Sequence, residues 1–235
     1  MEIEVCVEKT ETAIIANQYG ATRVELCSAL DLGGLTPSAG LIKSCVEKCD
    51  LQVFVMIRPK PGGFIYDHHD IDIMKQDIKT AAQSGASGVV FGCLTTDFVI
   101  DIEQNKELLE LAKSFGLGVT FHRAFDFTKN MSLAFEQIID LGFDRILTSG
   151  GKKTATEGFE QINHLISKNK NRIEIMAGSG INPNNCRRFA DIGVDAIHFT
   201  ARKTITDKNS LNMGKEYIPD EEKIKKIIKL TSHTV

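Results

Sequence analysis

Cys6 and Cys27 stand near the ends of two successive β-branched runs, EIEVCVE (2–8) and TRVELCS (22–28). Successive residues of a strand face opposite ways, so parity sorts their side chains. In the first run Ile3, Val5 and Val7 form an aliphatic set, opposed by Glu4, Cys6 and Glu8. In the second, Cys27 shares its face with Arg23 and Glu25. With the aliphatic sets packed on helices, both cysteines turn toward one shared interior. Two thiolates there can hold a soft ion such as Cu(I), with Met56 or a His completing the shell. The bland reading, two small residues filling a narrow interior, stays open beside it.

A second group points to acid–base chemistry on an anion. His122, in FHRAFD (121–126), titrates near neutral pH when unperturbed, and Glu8 or Glu25 could orient or replace it. Arg58 suits a carboxylate or phosphate fork. The turns TSGG (148–151) and AGSGI (177–181) make Ser149, Gly150, Gly178, Ser179 and Gly180 candidates for cradling an anion through backbone N–H groups. Together these residues describe an enzyme acting on a small phosphorylated or otherwise anionic metabolite. A Schiff-base lysine is missing from the RILTSG run (145–150); Lys152 and Lys153 fall beyond it. His68 and His69, in DHHD, read as solvent-facing loop residues, and no acidic cluster supports Mg or Ca. No organic cofactor motif is evident.

The elements that must position these groups alternate from end to end. Strand-like runs at 2–8, 22–28, 52–58, 87–93, 118–124, 145–150, 172–178 and 195–201 alternate with helical periods at 10–19, 37–48, 71–84, 103–115, 131–141, 155–168, 183–192 and 220–230. Such alternation predicts a single-domain (β/α)8 TIM barrel over residues 1–235. A doubly wound sheet would carry a Gly-rich turn after the first strand, and VEKTETA has none. Thr36 and Asn182, each before a proline, are expected to cap helices. Residues 202–218 read as one long irregular piece able to cover part of the barrel mouth. Parity also sends Met56, Arg58, Thr120, His122, Glu174, Met176, His198 and Thr200 inward. Glu8, Glu25, Arg58, His122 and Glu174 should then satisfy one another in one network, because buried charge is costly unless paired.

Bulk properties narrow the partners. A net charge of -3 and a pI near 6.1 argue against nucleic acid. The basic stretch KIKKIIK reads as the solvated face of a last helix. No targeting segment or bilayer-length apolar run is visible, which leads us to expect a cytoplasmic protein. Six cysteines without a CxxC pair fit that compartment as reduced thiols, with Cys45 and Cys49 as core residues on one helix face.

The strings EVCVE, VELC, GGLTPS, VMIRP, GVVFG, TFHRAFD, RILTSG, GSGI and HFTAR together resemble the CutC copper homeostasis family over nearly the whole chain. The resemblance implies a (β/α)8 barrel that self-associates and a role in copper handling. It also implies that Cys6 and Cys27 stand at the family's proposed Cu(I)-binding cysteines. Two departures stand out: RPKPGGF (58–64) replaces the usual RPRGGDF, and Ala196 stands where an acidic residue is often found.

Overall fold

The computed structural model describes residues 1–205 and 215–231. Eight parallel strands close into a barrel: β1 (Glu2–Val7), β2 (Arg23–Leu26), β3 (Gln52–Met56), β4 (Gly88–Phe91), β5 (Gly118–Phe121), β6 (Arg145–Thr148), β7 (Glu174–Gly178) and β8 (Ala196–Thr200). Closure comes from β8 pairing with β1, in the register Glu4 to His198 and Cys6 to Thr200. Eight helices alternate with them: α1 (Thr10–Tyr19), α2 (Ala39–Lys48), α3 (His68–Gln83), α4 (Ile102–Ser114), α5 (Met131–Leu141), α6 (Phe159–Asn169), α7 (Cys186–Asp191) and α8 (Glu221–Thr231). No described helix is long and apolar enough to cross a membrane.

Parity resolves as expected. Val5, Val24, Val55, Val89, Ile175 and Ile197 belong to the large apolar layer between strands and helices. Each such side chain contributes about 1.5–3 kcal/mol on burial. Inside the barrel a small separate cluster joins Cys6, Cys27, Phe54, Met56 and Val90. Phe54 fits there because Gly88 and Gly118 carry no side chain. A Cβ at Gly88 would lie 2.3 Å from the Phe54 ring, and one at Gly118 2.9 Å.

Several local expectations are corrected. Thr36 caps no helix. Its hydroxyl accepts from the Arg58 N–H, and Ser38 caps α2 by accepting from Leu41 N–H. Asn182 opens a turn instead, so α7 begins only at Cys186. His68 and His69 are exposed, as expected, but they form the first turn of α3, which Asp67 and Asp70 close with a reciprocal capping box. Cys45 lies on α2, whereas Cys49 follows the helix end; both are buried. Within 202–218, strands β9 (Arg202–Ile205) and β10 (Glu216–Pro219) pair antiparallel, so the piece is not irregular; residues 206–214 lie outside the described part. The two strands twist back over the β1 and β2 ends, where the Tyr217 hydroxyl donates to Asp31 and Arg202 pairs with both Glu8 and Asp31.

Candidate functional site

The amino-terminal end of the barrel is closed by charge and one aromatic ring. Arg23, fully buried, pairs with Glu4 and Glu2, while Arg145 pairs with Glu174. Both guanidinium carbons lie 5.2 Å from the centre of the Phe54 ring. Glu174 therefore belongs to this end and not to a network with Glu25 and His122. Arg145, at the very start of β6, was not singled out in the sequence, where it reads as a surface charge before an apolar run.

Above this stopper the polar residues climb through β8 to the floor of the mouth. His198 Nδ1 sits 2.7 Å from Glu4 Oε1, and its Nε2 sits 3.7 Å from Glu25 Oε2. Glu25 Oε2 in turn lies 3.2 Å from Cys6 Sγ and 3.4 Å from Cys27 Sγ, and the two sulfurs are 3.9 Å apart. Two sets, Cys6–Glu25–Cys27 and Glu4–Glu25–His198, each bring three ligand-type atoms within 4.8 Å of one another.

Enclosure forces protons to be shared unequally. The hydrogen bond with Cys27 pulls the Cys6 thiol down to about 5, against the opposing effect of burial and with help from His198. Burial, together with the Cys6 charge, pushes the Glu25 carboxyl well above its ordinary range. Cys27 is pushed well up by the same Cys6 contact and by burial. For His198 burial opposes the charged ring, yet Glu25, Cys6 and Glu4 outweigh it and raise the imidazole. Burial would raise Glu4 too, but Arg23 and His198 hold it down at about 2. These four groups therefore compete for few protons around one sulfur, with Cys6 drawn toward the thiolate and Glu25 and Cys27 drawn toward their neutral forms.

Over the floor opens a cavity of about 560 Å³ at the carboxyl ends of the strands, where barrel sites are built. Cys6, Glu25, Arg58, His122 and His198 all line it; three lie within β1, β2 and β8, and two, Arg58 and His122, just beyond β3 and β5. Glu8 does not join them. Its carboxylate accepts from Leu30 N–H at 2.8 Å and from Arg202 at 2.9 Å, tying β1 to the hairpin. Arg58, 3% exposed, donates to the carbonyls of Leu32, Gly34 and Gly62 and forks no carboxylate. His122 accepts from Ala124 N–H through Nδ1, and burial plus the Arg58 charge hold it down at about 3. It is a neutral ring at physiological pH, so the neutral-pH titration expected of it is overturned.

The expected anion cradle is half filled from within. The Asp126 carboxylate accepts from the N–H groups of Ser149 and Gly151 and from the hydroxyls of Thr148 and Ser149. Arg123 completes the arrangement by donating to Asp126 and Ser149. Gly150 N–H is taken by Thr148. Ser149 and Gly151 thus hold a carboxylate of the chain itself, and neither Ser149 N–H nor Gly150 N–H is free for a ligand. Gly178 has a packing reason: a Cβ there would lie 2.5 Å from Leu147. Ser179 and Gly180 do line the cavity, both with positive φ. Asp126 and Arg123 were legible only as part of TFHRAFD, three residues apart, and were given no role there. Lys223, from α8, also reaches the cavity wall and donates to the Thr200 carbonyl at 2.6 Å.

Barrel and mouth together define a (β/α)8 protein with a cysteine-floored, cation-rimmed pocket. A family model described as the CutC family matches residues 1–203, and the chain belongs to that family. It is similar to the family protein CutC of Histophilus somni (44% identity over 91% of this chain and 89% of that one) and of Vibrio cholerae (48%, over 86% and 80%). Among solved structures it is similar to a CutC from Streptococcus agalactiae described as a candidate copper homeostasis protein. That match has a TM-score of 0.79 at 34% identity, covering 85% of this chain and 98% of that chain. Likeness to a Salmonella typhimurium 3-hexulose-6-phosphate synthase (TM-score 0.67, 13% identity, all of both chains) shows the fold alone.

Proposed function

We propose that this protein binds one Cu(I) ion as cargo between Cys6 and Cys27 at the floor of the barrel mouth. The observation that carries this reading is the 3.9 Å separation of the two sulfurs. With metal–sulfur bonds of about 2.3 Å, that separation corresponds to an S–metal–S angle of about 116°, close to trigonal. Met56 packs in the same cluster and offers a thioether for the third position. The pair is poorly placed for a disulfide. Cys6 faces Glu25 across the strands and Cys27 lies two residues further on. Strand spacing of about 4.8 Å and a rise of about 3.3 Å per residue put the Cα atoms roughly 8 Å apart. Disulfides need less than about 7 Å, so the sulfurs meet at a distance that suits sharing an ion rather than bonding.

Charge agrees with this assignment. The hydrogen bond with Cys27 draws Cys6 toward the thiolate, the form that binds a soft monovalent cation. Six free, buried thiols fit a reducing compartment, which we take to be the cytoplasm. The self-association implied by the family resemblance remains part of the proposal, and sedimentation equilibrium tests it. The copper reading is tested by a Cu(I) titration under reducing, oxygen-free conditions against a competing chelator. Wild type should bind one ion tightly, and the Cys6→Ser/Cys27→Ser variant should not. Equal binding by both would overturn the assignment.

A second reading is favoured by the size of the cavity. One ion needs a small fraction of about 560 Å³, whereas small-molecule sites run from about 300 to 1,000 Å³. In this reading the protein is an enzyme acting on a small anionic metabolite, with Glu25, whose carboxyl burial holds above its ordinary range, as proton donor and Cys6, held low by Cys27, as base. A Glu25→Gln variant that retained full function in cells would remove its main support.

A further inference from the structure

Arg58 poses a charge problem that its hydrogen bonds do not solve. Its guanidinium staples two loops by donating to three carbonyls, Leu32 at 3.0 Å, Gly34 at 2.9 Å and Gly62 at 2.7 Å. Carbonyl dipoles satisfy N–H groups but do not neutralise a full charge, and a buried cation without a counter-charge is costly. Among the described residues Arg58 forms no ion pair, and neither does Lys223, which lines the same cavity and donates to the Thr200 carbonyl. The other two cations of the mouth differ: Arg123 is neutralised by Asp126, and Arg202 by Glu8 and Asp31.

Unmatched donors collect on the same side. Arg58 Nε and His122 Nε2 are buried without a partner, and both residues line the cavity. His122 Nδ1 accepts from Ala124 N–H at 3.3 Å, which places the ring proton on Nε2 and makes that atom a donor. One ring gathers the two residues: Phe64 lies 5.2 Å from the Arg58 guanidinium carbon and 4.7 Å from the His122 ring centre.

We propose that the mouth binds a small organic oxyanion, a carboxylate or phosphate ester, with its charged end held between the cations Arg58 and Lys223 and with His122 donating to it. The unmatched Glu25 Oε1, at the floor, then meets the polar body of the same molecule. This anion site lies across the mouth from the loop after β6, whose N–H groups Asp126 already occupies. The inference rests on the premise of the second reading, that an organic molecule enters the mouth, and its test requires neither copper nor turnover. Its failure is thereby separable from failure of either functional reading.

The test is a thermal-shift titration of the full chain with inorganic phosphate and, separately, malonate, against sodium chloride at matched ionic strength. Wild type should show a saturable rise in Tm with at least one probe, and the probe with the lower saturation point identifies phosphate or carboxylate as the preferred group. Arg58→Gln should raise that saturation point at least tenfold. Because Arg58 also staples loops, Lys223→Met is the second variant and should weaken binding at least threefold while folding normally. In ¹⁵N-labelled wild type, the His122 Nε2 resonance should shift along the same saturation curve. A rise in Tm matched by chloride, the same saturation point in both variants, or an unmoved His122 resonance would overturn the proposal.

Discussion

His122 offers a direct measurement of how strongly the mouth excludes charge. The ring is held at about 3 against an ordinary value of 6.5, chiefly by burial and then by Arg58. A histidine kept neutral by the fold stabilises the protein fully above its unfolded value and loses that contribution as the pH falls toward about 3. At ~pH 5 the unfolded ring is protonated and the folded ring is not. The loss there is about 1.36 × 1.5, or about 2 kcal/mol, and it grows to about 4 kcal/mol by ~pH 3. For a chain of this length each kcal/mol moves Tm by roughly 2–4 °C, so about 4–8 °C is expected between ~pH 8 and ~pH 5 from this residue alone. The reference is His122→Asn, whose carbonyl can still accept from Ala124 N–H and whose side chain does not titrate. Calorimetry of both proteins, in buffers free of phosphate and carboxylate, gives the wild-type acid shift in excess of the variant's. An excess of about 4–8 °C supports the reasoning. Equal acid shifts in the two proteins would show that the ring titrates in the fold much as it does in water.

Three further outcomes follow from the contacts described. Glu4→Gln leaves the fully buried Arg23 with only Glu2, so urea denaturation near neutral pH should show a loss of about 3–5 kcal/mol. Asp126→Ala orphans the N–H groups of Ser149 and Gly151 and frees Arg123; a loss of about 2–4 kcal/mol and faster amide exchange at 149–151 are expected. Gly158→Ala would place a Cβ 1.9 Å from the Ser149 carbonyl, so that variant should lose at least about 3 kcal/mol or fail to accumulate as soluble protein.

The barrel was readable because its signal is periodic: aliphatic residues at every second position in the strands, repeated eight times between helical stretches. Parity also placed Cys6, Glu25, Arg58 and His122 on the interior side, and they line one cavity. What parity lacks is depth along the axis and the path of the loops. Glu174 faces inward as expected but at the opposite end from Glu25, where Arg145 holds it. Glu8 lies one residue past the end of β1, where the alternation no longer governs direction, and Arg202 draws it toward the hairpin. Ser149 and Gly150 have the composition of an anion cradle, and the same turn does cradle an anion, through the N–H groups of Ser149 and Gly151. Only the folded chain reveals that it is Asp126, 23 residues upstream of Ser149, that supplies it. The state of His122 was misjudged for a related reason, since burial and a neighbouring guanidinium are tertiary facts.

The Arg23–Phe54–Arg145 stack bears on traffic as well as stability. With one end sealed by two guanidinium groups, their carboxylates and an aromatic ring, nothing crosses the barrel from end to end, and the large cavity opens only toward the carboxyl ends of the strands. An occupant that reaches Cys6 through this cavity passes Arg58 and His122 on the way in and on the way out. Two occupants would therefore observe a queue: the deeper one enters before the shallower and departs after it. In exchange kinetics that queue reads out as an oxyanion at the doorway slowing release of the floor's occupant while leaving its equilibrium preference for the two sulfurs to be set by their chemistry.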